Sequence, residues 1–128
     1  MLALAIVALL AALALPSARF GRGPGLQRYE AQRIAALLRA DRNAAIRTGR
    51  PVTTRLDLAA RRLVAGGSPS FITLSSALDL AARPSDLTGF AFTADGRSNG
   101  GLLLLGTRTR GLAVRVDAGT AAVQIDGY

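Results

Sequence analysis

The first fifteen residues, Met1 to Leu15 (MLALAIVALLAALAL), carry no charged or polar side chain, and Pro16 closes them. Leu and Ala dominate the run, and both are strong helix formers. A fifteen-residue helix rising ~1.5 Å per residue reaches roughly 22 Å, short of the ~30 Å hydrocarbon core of a bilayer. Eight of the residues are Leu, Ile or Val, so insertion into lipid is favoured by only about a few kcal/mol. Three readings stay open on these residues: part of a membrane helix, a signal peptide, or a core helix. Ala12-Leu13-Ala14 offers a small-residue cleavage site, but no basic residue precedes the run as one normally does in a secretory signal. Pro16 would kink a continuing helix or end it.

The other 112 of the 128 residues are enough for one small domain. Half of the chain is hydrophobic, which excludes a disordered chain, while aromatic residues are only 5% and Trp is absent. The core must therefore be built from Leu, Val, Ile and Ala. Cys and His are absent and every basic residue is Arg. This removes disulfides, thiolate metal sites, and Ser-His, Cys-His or Ser-Lys catalysis. It also removes the phosphate-binding loop that needs Lys. Only carboxylates remain for chemistry, and the Asp residues lie mostly in turn contexts. The expectation is a protein that is not an enzyme, with no cofactor and no metal. Asp95-Gly96-Arg97-Ser98-Asn99-Gly100 has a passing likeness to a calcium loop. Arg97 in its middle and the lack of a closing carboxylate favour plain hairpin turns.

The net charge is +8 and uneven. Up to Arg62, eleven Arg face Glu30, Asp41 and Asp57; beyond it, five Arg are matched by five Asp. The excess therefore sits wholly in the N-terminal half. It suits phospholipid head groups, nucleic acid or acidic faces of neighbouring subunits, or it is a solvated helix face that maintains solubility.

Gly21-Arg22-Gly23-Pro24-Gly25 breaks the apolar helix, and Pro24 suits the first position of a new one. From Leu26 to about Thr48 the period is helical. Leu26, Ile34, Leu37, Leu38 and Ala45 share one side, and Arg28, Arg39 and Arg42 fall away from it. Glu30 and Asp41 interrupt the stripe, and Glu30 can pair with Arg33 one turn on. Gly49 and Pro51 stop the helix. After Pro51 the period becomes two: Val52, Thr54, Leu56 and Leu58 alternate with Thr53, Arg55 and Asp57. A short partner is expected around Leu63-Val64, a loop at Gly66–Pro69 and a strand at Phe71–Leu74. Ser76–Ala82 reads either as loop or as one helical turn. Phe90 and Phe92 point one way, and Asp95-Gly96 and Asn99-Gly100 are turn signals. Leu102–Leu105 is an unbroken apolar run, expected to be buried on both faces. Leu112, Val114 and Val116 alternate, Asp117–Thr120 turns, and Val123 and Ile125 close the sheet.

The order of apolar helix, amphipathic helix and small sheet resembles the type IV pilin-like proteins. Within them it is similar to the GspH/FimT-type minor pseudopilins, the H-type subunits of type II secretion. Residues 2–16 (LALAIVALLAALALP) resemble the pilin transmembrane helix with its proline. Ala45–Val52 (AIRTGRPV) is similar to the family's helix end and first strand. Phe92–Leu102 (FTADGRSNGGL) is similar to its strand, Asp-Gly turn, Ser-rich loop, Gly-Gly and next strand, and Val114–Asp117 with Val123 continues the pattern. The fold implied is α+β: a long N-terminal helix, apolar then amphipathic, followed by a small antiparallel β-sheet domain. The implied segments are 1–16 as membrane helix, 17–50 as linker and amphipathic helix, and 51–128 as β domain.

The resemblance implies a structural subunit, anchored in the bacterial inner membrane by a single pass with its C-terminal domain in the periplasm. Leu4, Ile6, Val7, Leu10 and Leu13 would lie in the membrane helix, with Pro16 as its kink. The implied partners are other pseudopilins in a hetero-oligomeric fibre, and inner-membrane lipid. The family's basic leader, Gly-Phe cleavage and N-methylation site, and following Glu have no counterpart here; by position they would fall before Met1. Arg19, Arg22 and Arg28 follow the apolar run with nothing basic before it, contrary to the positive-inside rule for a periplasmic domain. An upstream leader would remove that conflict. The tail has Gly119-Thr120-Ala121-Ala122 where the family tends to place an aromatic residue before its Gly turn. Two alternatives remain. A FimT-like minor pilin would bind DNA, with Arg108, Arg110 and Arg115 contacting phosphates. An exported soluble β domain would start soon after Ala14 or Ala18, once its signal is removed.

Overall fold

The computed structural model describes residues 24–106 and 111–127. One helix, α1 (Pro24–Thr48), is followed by eight strands: β1 (Val52–Asp57), β2 (Arg62–Val64), β3 (Phe71–Thr73), β4 (Asp79–Arg83), β5 (Gly89–Phe92), β6 (Gly101–Gly106), β7 (Gly111–Val116) and β8 (Val123–Gly127). The strands form two four-stranded sheets, ordered β3-β2-β1-β5 and β4-β6-β7-β8, and every pairing is antiparallel. The architecture is the expected α+β one, with the helix laid across both sheets.

α1 starts where Pro24 needs no helical N–H partner. It ends at Gly49, whose backbone takes φ +67° and whose N–H donates to the Ala45 carbonyl at 3.0 Å. The Thr48 hydroxyl donates to the Ala44 carbonyl at 2.7 Å. The expected stripe is the one that packs: Ile34, Leu37, Leu38 and Ala45 are buried and Leu26 is half-buried. Arg28 and Arg39 are exposed as expected, whereas Arg42 is half-buried with its Nε inside the protein.

In the first sheet, Thr54 opposes Phe90 and Leu56 opposes Leu63, all four directed into the core. Gly89 makes this close pairing of β1 and β5 feasible, since a Cβ there would sit 2.5 Å from the Thr54 carbonyl oxygen. In the second sheet, Ala82, Leu103, Val114 and Ile125 form one cross-strand row on the helix side. The core is aliphatic apart from Phe90 and Phe92, as the composition requires.

Two expectations are corrected. Leu102–Leu105 is not buried on both faces: Leu103 and Leu105 are fully buried, but Leu102 and Leu104 are only half-buried. α1 covers one face of the sheet, and no second layer among the described residues covers the other. Ser76–Ala82 is neither wholly loop nor a helical turn, because its second half joins β4, paired with β6 from Asp79↔Gly106 to Arg83↔Leu102. Leu and Ala favour helix locally, but the open edge of β6 supplies ladder partners that outweigh that preference. The preceding crossover is held by Arg61, which has φ 55° and whose Nη2 donates to the Ser75 and Leu78 carbonyls.

Candidate functional site

The two faces of α1 differ in charge as well as in burial. The inward face holds both of its acidic residues. Asp41 is 1% exposed, and its carboxylate accepts the Thr54 hydroxyl at 2.5 Å and the Gly66 and Gly67 backbone N–H groups at 2.9 and 3.0 Å. Three donors from β1 and the β2–β3 loop thus satisfy one buried charge. Gly67 has no room for a Cβ, which would stand 2.7 Å from that of Ala44. Glu30 is 4% exposed and meets Arg33 at 3.2 Å, the expected pair one turn apart. Gln27, also buried, donates from Nε2 to the Leu105 carbonyl of β6 at 2.6 Å.

The outward face contains Arg28, Tyr29, Gln32, Ala36, Arg39, Ala40, Asn43, Ile46 and Arg47, all exposed. Tyr29 and Ile46 show 56% and 46% of their surface. Arg33 lies over the Tyr29 ring, 5.5 Å from its centroid, and Arg39 Nη2 donates to the Val123 carbonyl of β8 at 2.8 Å. No acidic side chain of α1 reaches this face. Its charge is therefore uniformly positive.

The Phe92–Leu102 segment is a compact double turn. Thr93 N–H donates to the Arg97 carbonyl at 2.9 Å, and Gly96 takes φ +84°. The Asp95 carboxylate accepts the Thr93 hydroxyl and lies 3.6 Å from Arg97 Nε. That hydroxyl, more than Arg97, holds the Asp95 carboxyl below its ordinary value. Asn99 acts as an extra piece of strand: its Oδ1 accepts Ala91 N–H at 2.8 Å and its Nδ2 donates to the Gly89 carbonyl at 3.1 Å, sealing the edge of β5. Gly100 and Gly101 take φ +74° and +136° to pass under Ala118 and Leu87. The loop's side-chain oxygens are engaged by the Thr93 hydroxyl, Arg97, the Gly100 N–H and the Ala91 N–H of β5, so the hairpin reading fits it better than a cation site. Among the described residues no group of three potential metal ligands exists.

At the other end of the chain, the β7–β8 turn forms as the sequence suggests. Asp117 accepts the Thr120 N–H and hydroxyl, both at 2.9 Å, and these bonds hold its carboxyl below its ordinary value. Ala121, at φ 57°, is fully buried, and its N–H donates to the Asp117 carbonyl at 2.8 Å. A broad cleft of about 920 Å³ lies along β1 and the Ser85–Gly89 loop, lined by Arg55, Asp57, Arg62, Asp86, Thr88 and Asn99 among others. Its charges are mixed and its walls open, an arrangement without the convergent polar groups of a catalytic pocket.

Leu4, Ile6, Val7, Leu10, Leu13 and Pro16 lie outside the described residues, as do Arg108 and Arg110. Arg115 is described: it stands on β7 with its Nε 3.6 Å from Asp126 on β8. Among the described residues no helix is long and apolar enough to cross a membrane. The sequence pattern gives Asp41 and Gln27 no role of their own, and it marks Asn99 only as a turn residue and part of the calcium-loop likeness. The available signal for Asp41 was a carboxylate inside a buried stripe, followed by a Gly-Gly loop.

No protein-family model matches the chain, and no curated protein matches it. Solved structures do. The type IV minor pilin FimU of Pseudomonas aeruginosa (strain PAO1) superposes with a TM-score of 0.66 at 14% identity, over 78% of this chain and 87% of that one. The minor pseudopilin EpsH from the type 2 secretion system of Vibrio cholerae gives 0.66 at 15% identity, over 78% and 95%. A second crystal form of FimU gives 0.65 at 15% identity, over 77% and 91%. At this identity the likeness is one of fold, and that fold is the pilin-like one the resemblance implied.

Proposed function

We propose that this protein is a structural, non-enzymatic minor pseudopilin that assembles with other pseudopilins in a type II secretion fibre and contributes to export across the outer membrane. The observation that carries the reading is the shared fold: one amphipathic helix across two antiparallel sheets, matching 87% of the solved minor pilin chain and 95% of the solved minor pseudopilin chain. The Met1–Leu15 run supports an inner-membrane anchor, with Leu4, Ile6, Val7, Leu10 and Leu13 in lipid, Pro16 as the kink and the sheets in the periplasm. The fold itself supports no particular chemistry, because unrelated functions share folds.

The test is incorporation. The full chain, tagged at its C-terminus, is expected in sheared surface fibres together with other pilin-like subunits, and its deletion is expected to reduce secretion of exported enzymes. Absence from the fibres, with secretion and twitching both intact after deletion, would sink the reading. The FimU likeness equally favours a type IV pilus setting; loss of twitching or DNA uptake with normal secretion would select it. For the DNA-binding variant of that reading, Arg108, Arg110 and Arg115 are the residues to replace in a gel shift. Arg115 already has Asp126 beside it, which weakens its call on a phosphate. A processed N-terminus near Ala14 or Ala18 in protein recovered from cells would instead identify a soluble exported domain.

A further inference from the structure

We infer that the outward face of α1 is built to dock against an acidic face of a helix from a different subunit and to reject a second copy of this chain. The inference takes its setting from the fibre reading and names the chemistry of the neighbour.

Three observations carry it. First, the face is basic without compensation. Arg28 and Arg47 make no ion pair among the described residues, Arg39 spends its guanidinium on a neutral carbonyl, and Glu30 and Asp41 are sequestered on the opposite side. Asp95, an acidic residue from another element, lies in the turn whose Gly96 approaches Ile46, and it faces Arg97. Second, the arginines are not explained by helix stability. Arg47, in the last turn, complements the helix dipole, but Arg28 lies beyond the first turn at the other end, where the dipole gives a cation no gain. Third, the surface has the relief of a helix seat. Ala36 and Ala40 are exposed between the arginines, which lets a second helix axis approach to about 8–10 Å. Tyr29 and Ile46 give that contact exposed apolar anchors at either end.

A second copy fails on charge. Packed parallel, Arg28, Arg39 and Arg47 would face themselves; packed antiparallel, Arg28 would face Arg47. Both registers oppose like charges at close range, so the face discriminates by repulsion as well as by attraction. A helix with acidic residues spaced along about 28 Å would match the arginines from Arg28 to Arg47. Nucleic acid and anionic lipid share the acidity but have no use for the alanine seat between the charges.

The chain has no cysteine, so one introduced thiol reports one contact. The test uses the full chain in detergent carrying Ala40→Cys, mixed, with copper phenanthroline and dissolved oxygen as the oxidant, with a second version carrying Ala40→Cys together with Arg28→Glu, Gln32→Glu and Arg47→Glu. This second version serves as the acidic helix probe, and it keeps the Arg39 bond to Val123. Circular dichroism melts verify that both are folded. The expected result is a mixed disulfide forming at least about tenfold faster than the homodimer of the unreversed chain at low salt, with the preference collapsing in 0.5 M NaCl as screening shortens to a few Å. Equal rates for the homodimer and the mixed dimer overturn the inference, and so does the absence of any disulfide. An Arg28- and Arg47-dependent shift of duplex DNA, or flotation with phosphatidylglycerol vesicles, in the absence of the mixed disulfide reassigns the face and also overturns it. Because the disulfide is read with purified protein and fibre incorporation in cells, either idea can fail alone.

Discussion

The two sheets are held to the same helix by different means. The sheet β4-β6-β7-β8 has strands of five or six residues paired in long registers, and it meets α1 mainly through Leu103, Leu105, Val114 and Val123. Its polar ties, from Gln27 and Arg39, end on carbonyl groups of β6 and β8. The sheet β3-β2-β1-β5 contains two strands of only three residues. Such strands bury too little to hold themselves. Here a buried carboxylate compensates, with Asp41 gathering β1 and the β2–β3 loop onto the helix. The difference teaches that apolar area secures a sheet with long strands, whereas one with short strands depends on a few directed bonds.

That contrast breaks most visibly at Asp41. Asp41→Ala leaves three donors without their acceptor and is expected to cost about 4 kcal/mol by urea denaturation. Hydrogen exchange would show the loss concentrated at Gly66 and Gly67, with β6 and β7 still protected; uniform loss across both sheets would refute the division of labour. Leu103→Ala opens a cavity in the other sheet at about 3 kcal/mol, and its effect should spread through the whole domain because the apolar core is continuous. Gln27→Ala, removing one directed bond from the area-dominated sheet, is expected to cost about 1 kcal/mol in the same denaturation.

Smaller effects belong to the exposed turns. The Asp95 and Asp117 carboxyls titrate below their ordinary value in the folded protein. Their contribution is present above the unfolded carboxylate pKa, about 3.9, and is lost as pH falls through the lowered folded values. Carboxyl NMR titration should find both midpoints low, and Asp117→Asn should flatten part of the fall in melting temperature between pH 5 and pH 2. Least of all, Arg115→Gln is expected to change stability by less than about 0.5 kcal/mol, since its contact with Asp126 is exposed to solvent. A larger loss in the melt would mean that the β7–β8 pair depends on charge as the first sheet does.

Local signals served best where neighbours in sequence settle the geometry. The Gly49 stop, the alternation of Val52 to Asp57 and the turns at Asp95-Gly96 and Asn99-Gly100 all depend on residues a few positions apart. They failed where the deciding partner is distant. Asp79–Arg83 has a helix-friendly composition and becomes a strand because β6 offers an edge. Leu102 and Leu104 look as buried as Leu103 and Leu105 until the position of α1 leaves their face uncovered. Asp41 reads as a flaw in an apolar stripe, because its partners lie at Thr54, Gly66 and Gly67.

The sequence by itself determined the helix period, the helix stop and the tight turns, and the order of elements apart from β4, since these follow from backbone and side-chain preferences within one turn or one strand. It also determined which chemistries are absent, because a side chain that is missing cannot react. Only the tertiary structure decided what meets the two acids on the inward face of α1, and so why neither has to reach the outward face, whose charged residues are all arginines. That division arises from packing: burial is tolerable for Asp41 and Glu30 only because a loop, a strand and Arg33 meet them there.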